Sequence, residues 1–279
     1  MADDLIDDES AIPQATFDYA SYNNIPTPSL LYKYFKHNKE WTQRIFKNNE
    51  IYFAAPKDFN DPFDSVRRFI YPTSPTERER LLKAGVRLSL PGLPTGVADL
   101  QVRGSVRTGD DIPHMEKICD QLTHEMQQSN AVFCMTEKKD NILMWAHYAD
   151  QHTGFCLEFR TDNPFFSRVR PVIYSRCLPK QDFVEFLTAD IARLPLYLVT
   201  TAEDWAYENE WRLADPGSDP GPRKYPREAL TGVILGCRMH EKNRKQIKHW
   251  CKEREPRPTL YEAKEKRSEF GLDIIPISY

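Results

Sequence analysis

From Leu30 to the C-terminus, short runs of aromatic and branched residues alternate with stretches whose apolar residues recur at helical spacing. That alternation restricts the chain to an α+β fold, because neither period could bury its apolar side without the other. Strands are expected over residues 30–35, 51–55, 131–136, 153–159, 169–174, 210–213, 231–235, 259–263 and 274–277. Helices are expected over 38–48, 112–128, 141–149, 182–198 and 242–253. Asn38 stands where a helix cap belongs, ahead of Trp41, Ile45 and Phe46 on one face.

Two segments depart from this rhythm. Residues 1–27 are acidic and polar and are expected to form a disordered leader. The remainder, 28–279, reads as a single α+β domain interrupted near 72–112 by a Pro- and Gly-rich insertion, a flexible lid carrying one helix over 75–88. With a net charge of −3 the chain has no global basic field to draw it to nucleic acid or membrane. No apolar run reaches the ~18 residues of a membrane span, so no membrane partner is expected. The six cysteines form no Cys-x-x-Cys pair and read as reduced thiols of a cytoplasmic protein. The N-terminus lacks the basic and apolar regions of a cleaved signal, which leaves open an effector secreted without one.

Four groups of residues could carry chemistry. Tyr32-Lys33-Tyr34 puts two aromatics on one strand face and a lysine on the other, either an edge strand or a surface for an anionic planar ligand. Asn60-Asp61-Pro62, followed by Asp64, has the composition of an Asx-stabilised turn, with Asn60 and Asp61 structural or substrate-positioning. Trp145 and Tyr148 lie one helical turn apart, with His147 and His152 nearby at no zinc-ligand spacing. In Trp205–Arg212, an extended chain would align Glu208, Glu210 and Arg212 on one face and Tyr207 and Trp211 on the other. Such a face is either an ion-pair ladder or a catalytic edge. Gly-x-Ser-x-Gly, Gly-x-Gly-x-x-Gly and P-loop motifs are absent.

These groups, in this order and followed by Gly232-Val233-Ile234-Leu235-Gly236, resemble the bacterial domain-of-unknown-function family 2971 over roughly residues 30 to 250. That family looks related to the ADP-ribosyltransferase fold. The resemblance implies a mixed split-sheet core with flanking helices and NAD as substrate. It also implies a macromolecular acceptor, protein or nucleic acid, and a setting in anti-phage defence or as a toxin-like effector. On it, Tyr32, Lys33 and Tyr34 correspond to the first strand, where the fold carries His or Arg at the position of Lys33. Thr136, by location, or Tyr148, by type, corresponds to the middle residue. Glu210 corresponds to the late glutamate, and Glu208 completes a Glu-x-Glu pair. Tyr32, Lys33, Tyr34, Thr136, Trp145, Tyr148 and Arg212 are then expected near the cofactor.

Two other readings use the same residues. One is a nucleotide- or nucleic-acid-sensing module without catalysis, which the compact ammonium of Lys33 would suit. The other is a metal-dependent nuclease built on Asp61, Asp64, Glu208 and Glu210.

Overall fold

The computed structural model describes residues 17–70, 72, 74–89, 95–109, 111–182 and 195–279. It is an α+β structure organised on one eight-stranded mixed sheet. In spatial order the strands are Leu272–Pro276, Thr259–Glu265, Leu230–Leu235, Phe155–Arg160, Leu30–Phe35, Ala131–Thr136, Glu210–Asp215 and Arg170–Pro171. Neighbours run antiparallel except Leu230–Leu235 and Thr259–Glu265, which are parallel and joined by the crossover helix Glu241–Lys252.

Alternation along these strands sorts side chains into two cores. Leu31, Phe133, Met135, Leu157, Trp211, Leu213 and Val233 face the helices Lys39–Asn48 and Glu241–Lys252, which contribute Ile45, Phe46, Ile247 and Trp250. Tyr32, Tyr34, Cys156 and Ile234 face the opposite side, covered by Met144 and Trp145 of the helix Ile142–Tyr148. Asn38 caps its helix as expected, its side chain accepting from the amides of Glu40 and Trp41. Among the described residues no helix is long and apolar enough to cross a membrane.

Central to the architecture is a parting of the sheet. Leu30–Phe35 pairs along its whole length with Phe155–Arg160, but with Ala131–Thr136 only at Tyr32 and Thr136. Farther along, the free edge of Ala131–Thr136 is taken by Ala54, which exchanges both backbone hydrogen bonds with Val132. Between these two contacts the strands diverge and leave a recess.

Several expectations need correction. The segment before Glu210 is not extended: Glu203–Glu208 is a 3-10 helix and Asn209 is left-handed at φ 45°, so the strand begins only at Glu210. Asparagine tolerates that conformation, and the local turn overrides an alternation that composition alone suggested. The insertion holds two helices, Pro75–Ser89 and Thr95–Thr108, ahead of Asp111–Gln128. Its Pro and Gly content had masked the second helix. The span 169–174 divides into Arg170–Pro171 and Ile173–Ser175, which pair in different sheets.

Of the helix expected over 182–198, residues 183–194 lie outside the described residues; Asp182 ends a strand, and Leu196–Leu198 is a 3-10 turn. Residues 1–16 of the expected leader also lie outside the described residues. The rest of the leader is held down. Asp18 caps a short helix, Tyr19–Asn23, and the Tyr22 hydroxyl donates to the Pro171 carbonyl at 2.5 Å.

Candidate functional site

The recess is a cavity of about 280 Å³. It is lined by Tyr32, Lys33 and Tyr34 from the first strand, Cys134 and Thr136 from the strand parting from it, and Glu210 and Arg212 from the next. The register explains this convergence: Glu210 lies opposite Thr136 and Arg212 opposite Cys134, so side chains on one sheet face open onto the gap. Lys33 alternates away from the two tyrosines yet also lines the cavity, since the strands part beside it. Its ammonium stands 5.4 Å from the centroid of the Phe133 ring.

Arg212 is 1% exposed and spends every donor within the protein. Nε and Nη2 donate to the two carboxylate oxygens of Glu210 at 3.0 and 2.9 Å. Nη1 and Nη2 donate to the two oxygens of Asp64 at 2.8 and 2.6 Å. The last N–H, on Nη1, reaches the Leu198 carbonyl at 3.0 Å. A guanidinium has five N–H groups in a planar fork, and here all are used. Arg212 was expected near a cofactor; its donors instead orient Glu210, with none left for a ligand. The ion-pair reading of Glu210 and Arg212 therefore holds in part, since the pair is a satisfied buried ion pair and also borders a cavity.

Glu208 is placed differently. It enters from the 3-10 turn and is 5% exposed, with no cation among the described residues bonded to it. Burial, reinforced by the neighbouring Glu210 carboxylate and offset by hydrogen bonding to Tyr148 and the charge of Lys33, pushes its pKa up to about 7. The Tyr148 hydroxyl donates to Glu208 Oε1 at 2.9 Å and accepts from Asn60 Nδ2 at 3.4 Å. Thr136 points its hydroxyl at the Glu208 carbonyl and accepts from the Lys138 amide, so it anchors the turn.

The Asn60–Ser65 turn forms another wall. Besides Asn60 on Tyr148 and Asp64 on Arg212, Asp61 accepts from Trp205 Nε1 at 2.7 Å. Asn60, Asp61 and Asp64 thus each bond a different element of the site. Asp64, which the sequence suggested as part of an Asx turn or as a metal ligand, proves to be the second carboxylate of the Arg212 clamp. Tyr174, whose hydroxyl accepts from the Glu210 amide at 2.7 Å, had no signal in the sequence at all. Among the described residues no three His, Cys, Asp or Glu side chains group as a metal site. Asp64 and Glu210 are both turned to Arg212.

Trp145 does not line the cavity. It is fully buried, donates from Nε1 to the Lys139 carbonyl at 3.0 Å and meets the Tyr34 ring edge-on at 5.2 Å. Its position supports Tyr34 from behind, because helix packing turned its face into the sheet. His152 stacks on Trp145 at 6.2 Å, while His147 is exposed, and neither lines the cavity.

Between helix Ile142–Tyr148 and strand Phe155–Arg160 the chain makes a left-handed turn of three non-glycine residues, Asp150, Gln151 and His152, at φ 48°, 53° and 68°. Such residues each cost roughly 1 kcal/mol or more and persist only where surroundings over-determine them. Here Gly154 and Gly236 do so by close approach. The Gly236 amide donates to the Gly154 carbonyl at 2.9 Å, and a Cβ on Gly154 would collide with the Phe35 carbonyl.

Comparison with known proteins gives one match of limited extent. No curated protein and no solved structure matches the chain. The family model for DUF2971, described as a protein of unknown function, matches residues 144–176, the segment that carries Tyr148, the left-handed turn and Tyr174.

Proposed function

We propose that this cavity is the site of an NAD-dependent ADP-ribosyltransferase. The observation that carries the reading is the convergence, at the parting of the sheet, of Tyr32-Lys33-Tyr34, Thr136 and the Glu208/Glu210 pair on one aromatic-lined cavity. Ribosyl transfer needs a negative charge against a sugar that becomes positive as its bond to nicotinamide breaks. Glu210, with both carboxylate oxygens bonded to Arg212, is rigidly placed for that purpose.

In the reaction, the C1′–N bond breaks, and its electron pair neutralises the nicotinamide ring. The acceptor's nucleophile forms the new bond at C1′. The acceptor proton passes to Glu208, whose midpoint near 7 suits a general base at neutral pH. Tyr148, itself held by Asn60, bonds that carboxylate as already described.

A second reading, a nucleotide sensor without turnover, is favoured by Lys33, which lacks the planar fork of arginine. One experiment tests both. The wild-type protein and the Glu210→Gln and Glu208→Gln variants are incubated with NAD labelled in the ribose, from pH 6 to pH 8. Transfer should rise through pH 7 in the wild type and be lost in both variants. Binding of NAD without any consumption would assign the sensor; equal turnover in all three proteins would remove both glutamates from the chemistry.

A further inference from the structure

The charge and size of the cavity say which part of a dinucleotide it recognises. Five carboxylates line it, from Asp58, Asp61, Asp64, Glu208 and Glu210, against the two cations Lys33 and Arg212. With all ionised, negative charge exceeds positive by three, and protonation of Glu208 lowers the excess to two. Arg212 has no N–H to offer. Among the described lining residues, Lys33 is the cation with donors to spare.

The walls are aromatic: Tyr34, Tyr52, Phe59, Tyr148 and Trp205. Aromatic rings and carboxylates lining one pocket attract a cation through both the ring faces and the net charge. The same field repels phosphate. At about 280 Å³ the cavity lies at the small end of ligand sites and can enclose a nucleoside-sized group.

We propose that the pocket selects the N-ribosylpyridinium cation itself, so that nicotinamide riboside is recognised almost as well as NAD and the phosphates add little. This rests on the transferase reading and names the portion of the substrate that the site holds. Lys33, in this view, tempers an excess of negative charge and does not hold phosphate.

Calorimetry on the full chain at neutral pH tests it with four ligands: nicotinamide riboside, its mononucleotide, NAD, and the reduced riboside, which has the same size without the ring charge. The riboside should bind within about threefold of NAD, and the reduced riboside at least about tenfold more weakly than the oxidised one. Lys33→Gln should tighten the riboside and leave NAD no weaker. NAD binding more than about a hundredfold tighter than the riboside, with that advantage lost in Lys33→Gln, would overturn the proposal while leaving the transferase reading intact. Equal affinity for oxidised and reduced riboside would overturn the charge selection. Failure of every pyridinium ligand to bind would remove the NAD reading and this inference together.

Discussion

Glu208 makes stability depend on pH in a direction opposite to that of most carboxylates, and its replacement by glutamine isolates the effect. Its pKa stands near 7 in the folded protein against an ordinary 4.5. The folded state therefore holds the proton more tightly than the unfolded chain does. Between these two values the unfolded chain has already ionised, so stability falls as pH rises and the loss is complete once the folded carboxyl has also ionised. Each pH unit between 4.5 and about 7 is worth about 1.4 kcal/mol, so the full effect is about 3 kcal/mol.

Glu208→Gln removes the titration while keeping an oxygen to accept from Tyr148. Urea unfolding of both proteins at pH 5 and pH 8 would measure it, since other titrating groups cancel in the difference. Relative to the wild type, the variant should gain about 2 to 3 kcal/mol on going from pH 5 to pH 8. A difference between the two proteins that is the same at both pH values would refute the reasoning, whatever its sign.

Other substitutions probe the frame around this carboxylate. Asp64→Ala leaves Arg212 buried with unsatisfied donors and should cost about 3 to 5 kcal/mol in chemical unfolding. Gly154→Ala drives a Cβ into backbone carbonyls that cannot retreat, so a loss of about 3 kcal/mol or more, or no folded protein by circular dichroism, is expected. Asn38→Ala removes the acceptor for two amides at a helix start and should lower stability by about 1 kcal/mol, seen as a small fall in Tm.

Much of this molecule was legible in its sequence because the signals were local. Periods of two and of 3.6 residues placed the strands Leu30–Phe35 and Ala131–Thr136 and the helix Lys39–Asn48, and Asn38 announced its own cap. Residues picked out by type, among them Tyr32, Tyr148, Glu208 and Glu210, lie around one cavity, although they are far apart along the chain. Long-range pairing was not legible. That the two central strands meet only at Tyr32 and Thr136 depends on where Ala54 takes over the free edge, which no local pattern encodes.

The same limit governs the charges. Composition showed Glu208, Glu210 and Arg212 close in sequence and suggested a shared face. Only the tertiary structure brings Asp64 across to complete the Arg212 clamp and turns Glu208 out of the strand through the left-handed Asn209. Local sequence determined which residues could form strands, helices and caps, because those choices rest on neighbours within a turn or two. Which carboxylates are paired with Arg212, and that Glu208 has its pKa raised, was decided by burial and by partners distant along the chain.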